Sequence, residues 1–237
     1  PPVFVTPAIL EAYTTTQSLL VRPSTLPEAF TLYASKPVPK PSTSPVTYKP
    51  QSPSAASAAI PTPVADVALN AAIASKSLPL ALDVIETTYR APAFRRAKFL
   101  RRALPPLTGA ALAPLAVYTL AGQLAQYQST MDPGTATAMA FAGMLTYVAA
   151  TATIGVVAVT TANDQMDRVT WAMGMPLRER WLREEERGAV DRVAGAWGFK
   201  EPWRRGEEEG EEWEGLREWV GVRGMVLDKV ALMEGME

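Results

Sequence analysis

The feature that most constrains how this chain can fold is a run of about sixty residues with almost no charge. Between Ala103 and Asn163 the only charged residue is Asp132. A membrane-spanning helix needs about 20 apolar residues, and the stretches before and after Asp132 are both long enough. A water-facing surface with so little charge is unfavourable. The sequence therefore predicts a transmembrane hairpin over 103–163, with helices at about 104–127 and 135–161.

A helical hairpin buried inside a large assembly is the alternative, because both stretches are rich in Ala, Gly and Thr rather than in Leu. In either case the hairpin would turn at Asp132, Pro133 and Gly134, which together favour a tight reversal of the chain. Small residues allow membrane helices to approach closely. We therefore expect the two helices to pack through four glycines: Gly109, Gly122, Gly143 and Gly155.

Five cations precede the first predicted span: Arg95, Arg96, Lys98, Arg101 and Arg102. Arginines also follow the second span, so the positive-inside rule predicts both termini on one side of the membrane and the turn on the other. A cation near an anionic leaflet contributes about 1 kcal/mol, which makes orientation and contact with anionic lipids the simplest role of this cluster. An acidic protein surface and RNA phosphates are the alternative partners.

The amino-acid composition excludes many kinds of active site. The chain has no Cys and no His. Disulfides, zinc or iron–sulfur sites held by these residues, and Ser-His-Asp catalysis are therefore excluded. No Gly-rich phosphate loop and no spacing typical of metal ligands is recognisable. We expect a protein that is not an enzyme and that uses no cofactor or metal.

The amino-terminal part combines helical patterns with a linker composition. Apolar residues recur at helical spacing in two pairs of segments, one within 1–35 and one within 64–102, the latter ending in the basic juxtamembrane cluster. The predicted helices are Pro7–Leu20, Pro27–Ser35, Val64–Ser75 and Leu78–Tyr89. Residues 36–63 are rich in Pro and Ser, which predicts an extended arm that buries no core.

Leu69–Ala74 followed by Ala81–Ile85 resembles a degenerate helix-turn-helix unit of the pentatricopeptide or tetratricopeptide type. Leu26–Tyr33 looks like the second helix of another such unit, so that the resemblance extends over about 8–90. It implies binding to RNA or to helices of other proteins, whereas a pair of amphipathic helices without repeat function is the alternative.

The carboxy-terminal part, 164–237, is acidic and contains all six Trp residues. We expect an interfacial helix end at Met166–Gly174, an amphipathic helix at Leu177–Gly198 and a last helix at Trp219–Met233. The acidic run at 207–214 is typical of a solvated loop, with docking of a basic partner as the alternative. The apolar face of the last helix needs a cover, which makes four residues candidates for docking a partner: Trp213, Trp219, Val222 and Val226.

The predicted fold is mostly α, with a two-helix transmembrane hairpin between an extended Pro-rich arm and amphipathic carboxy-terminal helices. In style the sequence resembles mitochondrial inner-membrane proteins of fungi, which implies termini in the matrix and the turn in the intermembrane space. The expected function is that of a non-catalytic accessory subunit or assembly factor of a respiratory-chain or ATP-synthase complex. The alternative is a membrane tether for the mitochondrial ribosome or translation machinery.

Overall fold

The computed structural model describes residues 4–40, 46–161 and 166–228, and the chain is mostly helical. It divides into two compact units. The first, which we call the core unit, consists of Pro1–Lys98 together with Asp164–Glu237. The second, which we call the apolar unit, is Phe99–Asn163. The segment that forms the apolar unit is thus inserted in sequence between the two segments of the core unit.

The amino-terminal segment of the core unit contains five helices in its described residues: α1 (Pro7–Leu19), α2 (Leu26–Ser35), α3 (Thr62–Ala74), α4 (Leu78–Thr87) and α5 (Pro92–Lys98). Proline occupies the first turn of α1 to α4, where its missing N–H costs no helical hydrogen bond. Helix α1 packs on α3, and α2 packs on α4. The predicted helix pairs of this segment are present within a few residues of their expected ends.

The carboxy-terminal segment contains three helices in its described part: α8 (Leu177–Leu182), α9 (Glu184–Trp197) and α10 (Glu211–Gly221). Strands β3 (Val169–Trp171) and β4 (Met225–Leu227) pair antiparallel, with Val169 opposite Leu227. Strands β1 (Val38–Pro39) and β2 (Tyr48–Lys49) form a second short ribbon in the amino-terminal segment.

One hydrophobic core joins the two segments of the core unit. Helix α9 packs against both α3 and α4. Leu69 of α3, Ile85 of α4 and Val193 of α9 are all fully buried in the same cluster. The sequence patterns treat 1–102 and 164–237 as separate regions, but in the structure each supplies part of the apolar surface that covers the other.

Polar contacts cross between the same two segments. Tyr89 donates a hydrogen bond to Asp66 (2.6 Å), and Arg192 of α9 bonds both Asp66 (2.8 Å) and the Tyr89 hydroxyl (3.1 Å). Burial, followed by the hydrogen bond to Asp66, raises the pKa of Tyr89 well above its usual value, so the hydroxyl keeps its proton. Glu86 forms an ion pair with Arg223. The contacts made by Arg192 and Arg223 join residues more than one hundred positions apart.

The Pro-rich segment 36–63 differs from the extended, core-free arm that its composition predicts. In its described residues, β1 pairs with β2, and a 3-10 turn at Ala56–Ala58 packs on α5. Ala58 and Ile60 are buried, with 2% and 3% of their surface exposed. Residues 41–45 of this segment lie outside the described residues. A few small or apolar side chains among the prolines are enough to fix the end of the segment to the core.

Three predictions for the carboxy-terminal part are wrong in detail. The segment 166–174 contains strand β3 instead of an interfacial helix end, and Trp171 packs against the core. The helix expected at 177–198 is interrupted at Arg183, between α8 and α9. The last helix ends at Gly221 and is followed by β4, because Gly224 takes a left-handed conformation (φ 72°) that turns the chain back. The predicted end of that helix, beyond Asp228, lies outside the described residues.

Candidate membrane-spanning unit

The apolar unit is built from two long helices, α6 (Leu104–Ala125, 22 residues) and α7 (Pro133–Thr161, 29 residues). At 1.5 Å per residue these are about 33 Å and 44 Å long, against about 30 Å for the hydrocarbon core of a bilayer. A π-helical turn at Phe99–Ala103 connects α5 to α6, so that the backbone is helical without a break over Pro92–Ala125. Both helices are long and apolar enough to cross a membrane.

The side chains of these helices are largely exposed. In the most apolar 18-residue window of each helix, 6% of the first and none of the second is buried. Leu112, Leu115 and Ile154 are more than 60% exposed. A long apolar helix in the core of a soluble protein would instead be mostly buried. Within this chain, therefore, nothing described covers the apolar surface of α6 and α7.

The two helices contact each other along a narrow seam of alanines. Val117, Ala121 and Ala125 of α6 recur every fourth residue and are buried, and so is Ala136 of α7. Tyr118 and Phe141 meet edge to face, with their ring centroids 6.0 Å apart. The seam uses the first third of α7, and the residues from Thr146 to Ala158 are exposed.

The four glycines predicted to form this contact do not lie in it. A Cβ atom added at any of them would meet no atom within 4 Å, and this holds for Gly109, Gly122, Gly143 and Gly155. The expectation that they mediate packing between the two helices is therefore wrong. The buried seam on α6 covers only Val117 to Ala125. Gly109 and Gly143 lie eight and seven residues from Val117 and Ala136, in line with the seam but beyond its ends, whereas Gly122 and Gly155 fall on other faces of the helices. Gly143 and Gly155 are exposed on α7.

Several polar groups of the apolar unit are satisfied without water. The hydroxyl groups of five threonines donate to backbone carbonyls three or four residues earlier in the same helix: Thr108, Thr119, Thr137, Thr151 and Thr153. Such bonds remove the cost of placing a hydroxyl in hydrocarbon. The many threonines that lower the hydrophobicity of these helices are thus compatible with an apolar surrounding.

The turn between α6 and α7 contains Asp132, Pro133 and Gly134. The Asp132 carboxylate accepts bonds from the backbone N–H groups of Gly134 (3.0 Å) and Thr135 (3.2 Å), and Pro133 begins α7. Gln128 accepts from the N–H of Met131 (2.9 Å) and donates to its carbonyl (2.9 Å). Two side chains thereby cap the free backbone groups that a reversal between helices exposes.

The five cations before α6 have different environments. Lys98 is buried (7% exposed), pairs with Glu185 and donates to the carbonyl of Trp181, so its predicted contact with lipid is wrong. Arg96 donates to the carbonyl (3.0 Å) and hydroxyl (3.1 Å) of Ser54. Arg101 and Arg102 are exposed.

Arg95 is partly exposed, and no ion pair is found for Arg95 or Arg101 among the described residues. Together with the exposed Arg102, these residues keep the orienting and lipid-contacting role as a prediction.

The four candidates for partner docking differ in how exposed their side chains are. Trp213 is buried (4% exposed), with the Arg168 guanidinium 4.6 Å from its ring centre, so it is unavailable to a partner. Trp219 is partly buried against the core and is covered by Arg223 at 3.6 Å. Val222 is 79% exposed and Val226 is 38% exposed. Only the two valines remain on the surface, and one lies in a turn and the other in β4.

A buried ion cluster around Arg168 is the main site that the sequence analysis missed. Arg168 is 2% exposed, forms a two-pronged pair with Asp228 (2.9 and 2.8 Å) and also binds Glu208. Burial alone would raise the pKa of Glu208, but bonds from Arg168 and from the N–H groups of Phe199 and Gly206 lower it to about 2. The run 207–214 is therefore no simple solvated loop.

The cluster is structural in character. A Cβ at Gly198 would lie 1.6 Å from the Arg168 guanidinium, so this position leaves room only for glycine. Within the described residues no group of three or more His, Cys, Asp or Glu side chains is placed to hold a metal ion.

The chain was compared with protein families, with curated proteins and with solved structures. No family model matches it, and neither a curated protein nor a solved structure matches it. The functional argument therefore depends on the residues and the geometry described above.

Proposed function

We propose that this protein is a non-catalytic accessory subunit or assembly factor of a large membrane complex, anchored in the bilayer by α6 and α7. In its specific form the proposal places it in the mitochondrial inner membrane, in association with a respiratory-chain or ATP-synthase complex. The observation that carries the proposal is the insertion of two exposed apolar helices between the two segments of one core.

That insertion restricts the membrane topology. Residues before α6 and after α7 are buried in a common cluster, for example Ile85 and Val193. If α6 and α7 cross the bilayer, the chain must return to the side from which it left, because the core unit cannot form across a membrane. An even number of crossings is therefore required, and two helices supply it. The positive-inside pattern independently favours the same topology.

The surface chemistry supports a lipid or protein surrounding over water. Large apolar side chains such as Leu112, Leu115 and Ile154 are exposed on α6 and α7, whereas soluble monomers rarely expose contiguous apolar patches of more than a few hundred Å². The threonine hydroxyls and the Asp132 carboxylate of the turn form hydrogen bonds with the backbone of the same unit, as a lipid environment requires. The exposed small residues near the end of α7 offer a surface on which a helix of a neighbouring subunit can pack.

The absence of Cys from the sequence makes topology directly measurable. Single cysteines are introduced at three exposed positions by Ser24→Cys, Ser129→Cys and Lys200→Cys, and sealed organelles are treated with a membrane-impermeant maleimide. We expect positions 24 and 200 to be labelled alike and position 129 to behave oppositely. Equal labelling of all three, together with release of the protein by alkaline carbonate, would refute the membrane anchor.

Sedimentation of the native protein in mild detergent, followed by mass spectrometry of co-migrating proteins, tests the partner. Co-migration with respiratory or ATP-synthase subunits that survives RNase is the expected result. Co-migration with ribosomal proteins that is lost on RNase treatment would favour the tether for the translation machinery instead.

A further inference from the structure

An apolar groove lies between α1 and α2 of the core unit. It has a volume of about 360 Å³ and is lined by Val5, Ile9, Leu10, Tyr13, Thr25, Glu28, Ala29 and Leu32. Ile9 and Leu32 are 55% and 59% exposed, whereas Leu10 is buried. The groove thus has a buried floor and exposed apolar walls, and it is too small to enclose more than a few side chains.

The polar groups that line the groove differ in whether they already have a hydrogen-bond or ion-pair partner. The hydroxyls of Tyr13 and Thr25 bond each other (2.7 Å), which uses one of their two O–H donors. The carboxylate of Glu28 is exposed, and no ion pair with it is found among the described residues. Lys36 donates to the carbonyl of Val5 (2.5 Å) and is itself buried, so it does not neutralise Glu28. The groove therefore offers apolar walls, one hydroxyl donor and one negative charge.

We propose that this groove binds one face of an amphipathic helix from a partner protein, with a Lys or Arg of that helix paired to Glu28. Helices dock in such grooves through apolar residues spaced three or four apart, and only those side chains need to enter. The charge of Glu28 selects a basic helix over an acidic one. All the residues involved lie in the core unit, so the inference does not depend on the membrane proposal.

Two labelled model helices serve as probes for the test. Both carry leucines on one face, and the other face carries either lysines or glutamates. The full chain is reconstituted in nanodiscs of uncharged phosphatidylcholine, and binding is followed by fluorescence anisotropy. We expect saturable binding of the lysine helix and weaker binding of the glutamate helix. Equal binding of the two, or none, would overturn the proposal.

Charge variants locate the binding. Glu28→Lys should weaken binding of the lysine helix roughly tenfold, since an attractive pair becomes repulsive. Glu11→Lys is the matched control. Glu11 lies on α1 and, like Glu28, is exposed, but it does not line the groove. We expect it to bind the probe as the unchanged chain does. If both variants lose affinity equally, the attraction is a general charge effect and the groove is not the site.

Apolar variants test the walls of the groove. Leu32→Asp should abolish binding of the lysine helix, whereas Leu20→Asp, at a similarly exposed position outside the groove, should not. Thermal unfolding of each variant verifies that the core unit is intact, and both positions are exposed enough to accept the change. Concentration-dependent self-association that Leu32→Asp abolishes would show that a second copy occupies the groove, and would overturn the proposal of a partner helix.

Discussion

Arg168 links four parts of the core unit although it lies in a polar stretch soon after α7. Its guanidinium reaches Asp228 after β4, Glu208 in the acidic run and the carbonyl of Ala194 in α9 (3.2 Å). Its backbone N–H donates to Asp191 (2.7 Å). A buried ion left without a partner is strongly destabilising, so the members of this cluster depend on one another.

The lowered pKa of Glu208 predicts how stability depends on pH. The folded carboxyl has a pKa of about 2, against 4.5 for an unperturbed glutamate. Its ion pair therefore stabilises the fold fully above pH 4.5, and this contribution is lost as the pH falls toward 2. We expect Glu208→Gln to lower the free energy of unfolding by about 1–3 kcal/mol at neutral pH and to flatten this acid dependence. Denaturant titrations followed by Trp fluorescence at several pH values measure both effects.

Glu209→Gln is the matched control, since Glu209 is adjacent and exposed. It should leave both the stability and its pH dependence unchanged. If the two variants behave alike, the ion cluster does not stabilise the core unit in solution.

At the scale of elements, the sequence predicts helices well and short strands poorly. Apolar spacing and a proline in the first turn mark α1 to α4, and length with lack of charge marks α6 and α7. Strands β3 and β4 have three residues each and pair across more than fifty positions, so neither carries a local pattern that could reveal it. The burial of Lys98 cannot be read from a local pattern either, because it depends on an ion pair with the distant Glu185.

The seam between α6 and α7 allows a sharp test of which residues hold these helices together. Ala121 is fully buried there, so Ala121→Leu overpacks the contact and should destabilise the pair by about 1–3 kcal/mol. Gly143→Leu adds the same side chain into open space and should leave the pair unchanged. Unfolding in graded mixtures of mild detergent and dodecyl sulfate compares the two. A larger loss with Gly143→Leu would show that the glycines, and not the alanines, form the contact.

At the scale of the whole molecule, the core unit depends on both segments that flank the apolar unit. Apolar burial by α9 against α3 and α4 and the contacts of Arg192 with Asp66 and Tyr89 all join the first segment to the second. A chain of this kind completes its core only after the apolar helices between the segments have been made. Completion of the core unit therefore has to await the synthesis of α6 and α7 and, under the proposed function, their insertion into the membrane.

This dependence predicts the result of cutting the chain between its two apolar helices. With a specific protease site inserted after Ser129, cleavage in mild detergent should leave two fragments that purify together, because the core unit joins them without the peptide bond. Adding Ala121→Leu weakens the contact between α6 and α7 and should not separate them. Val193→Asp places a charge in the shared core, where Val193 is fully buried, and should release one fragment from the other. Separation of the fragments by Ala121→Leu but not by Val193→Asp would mean that the apolar helices, and not the core, hold the protein together.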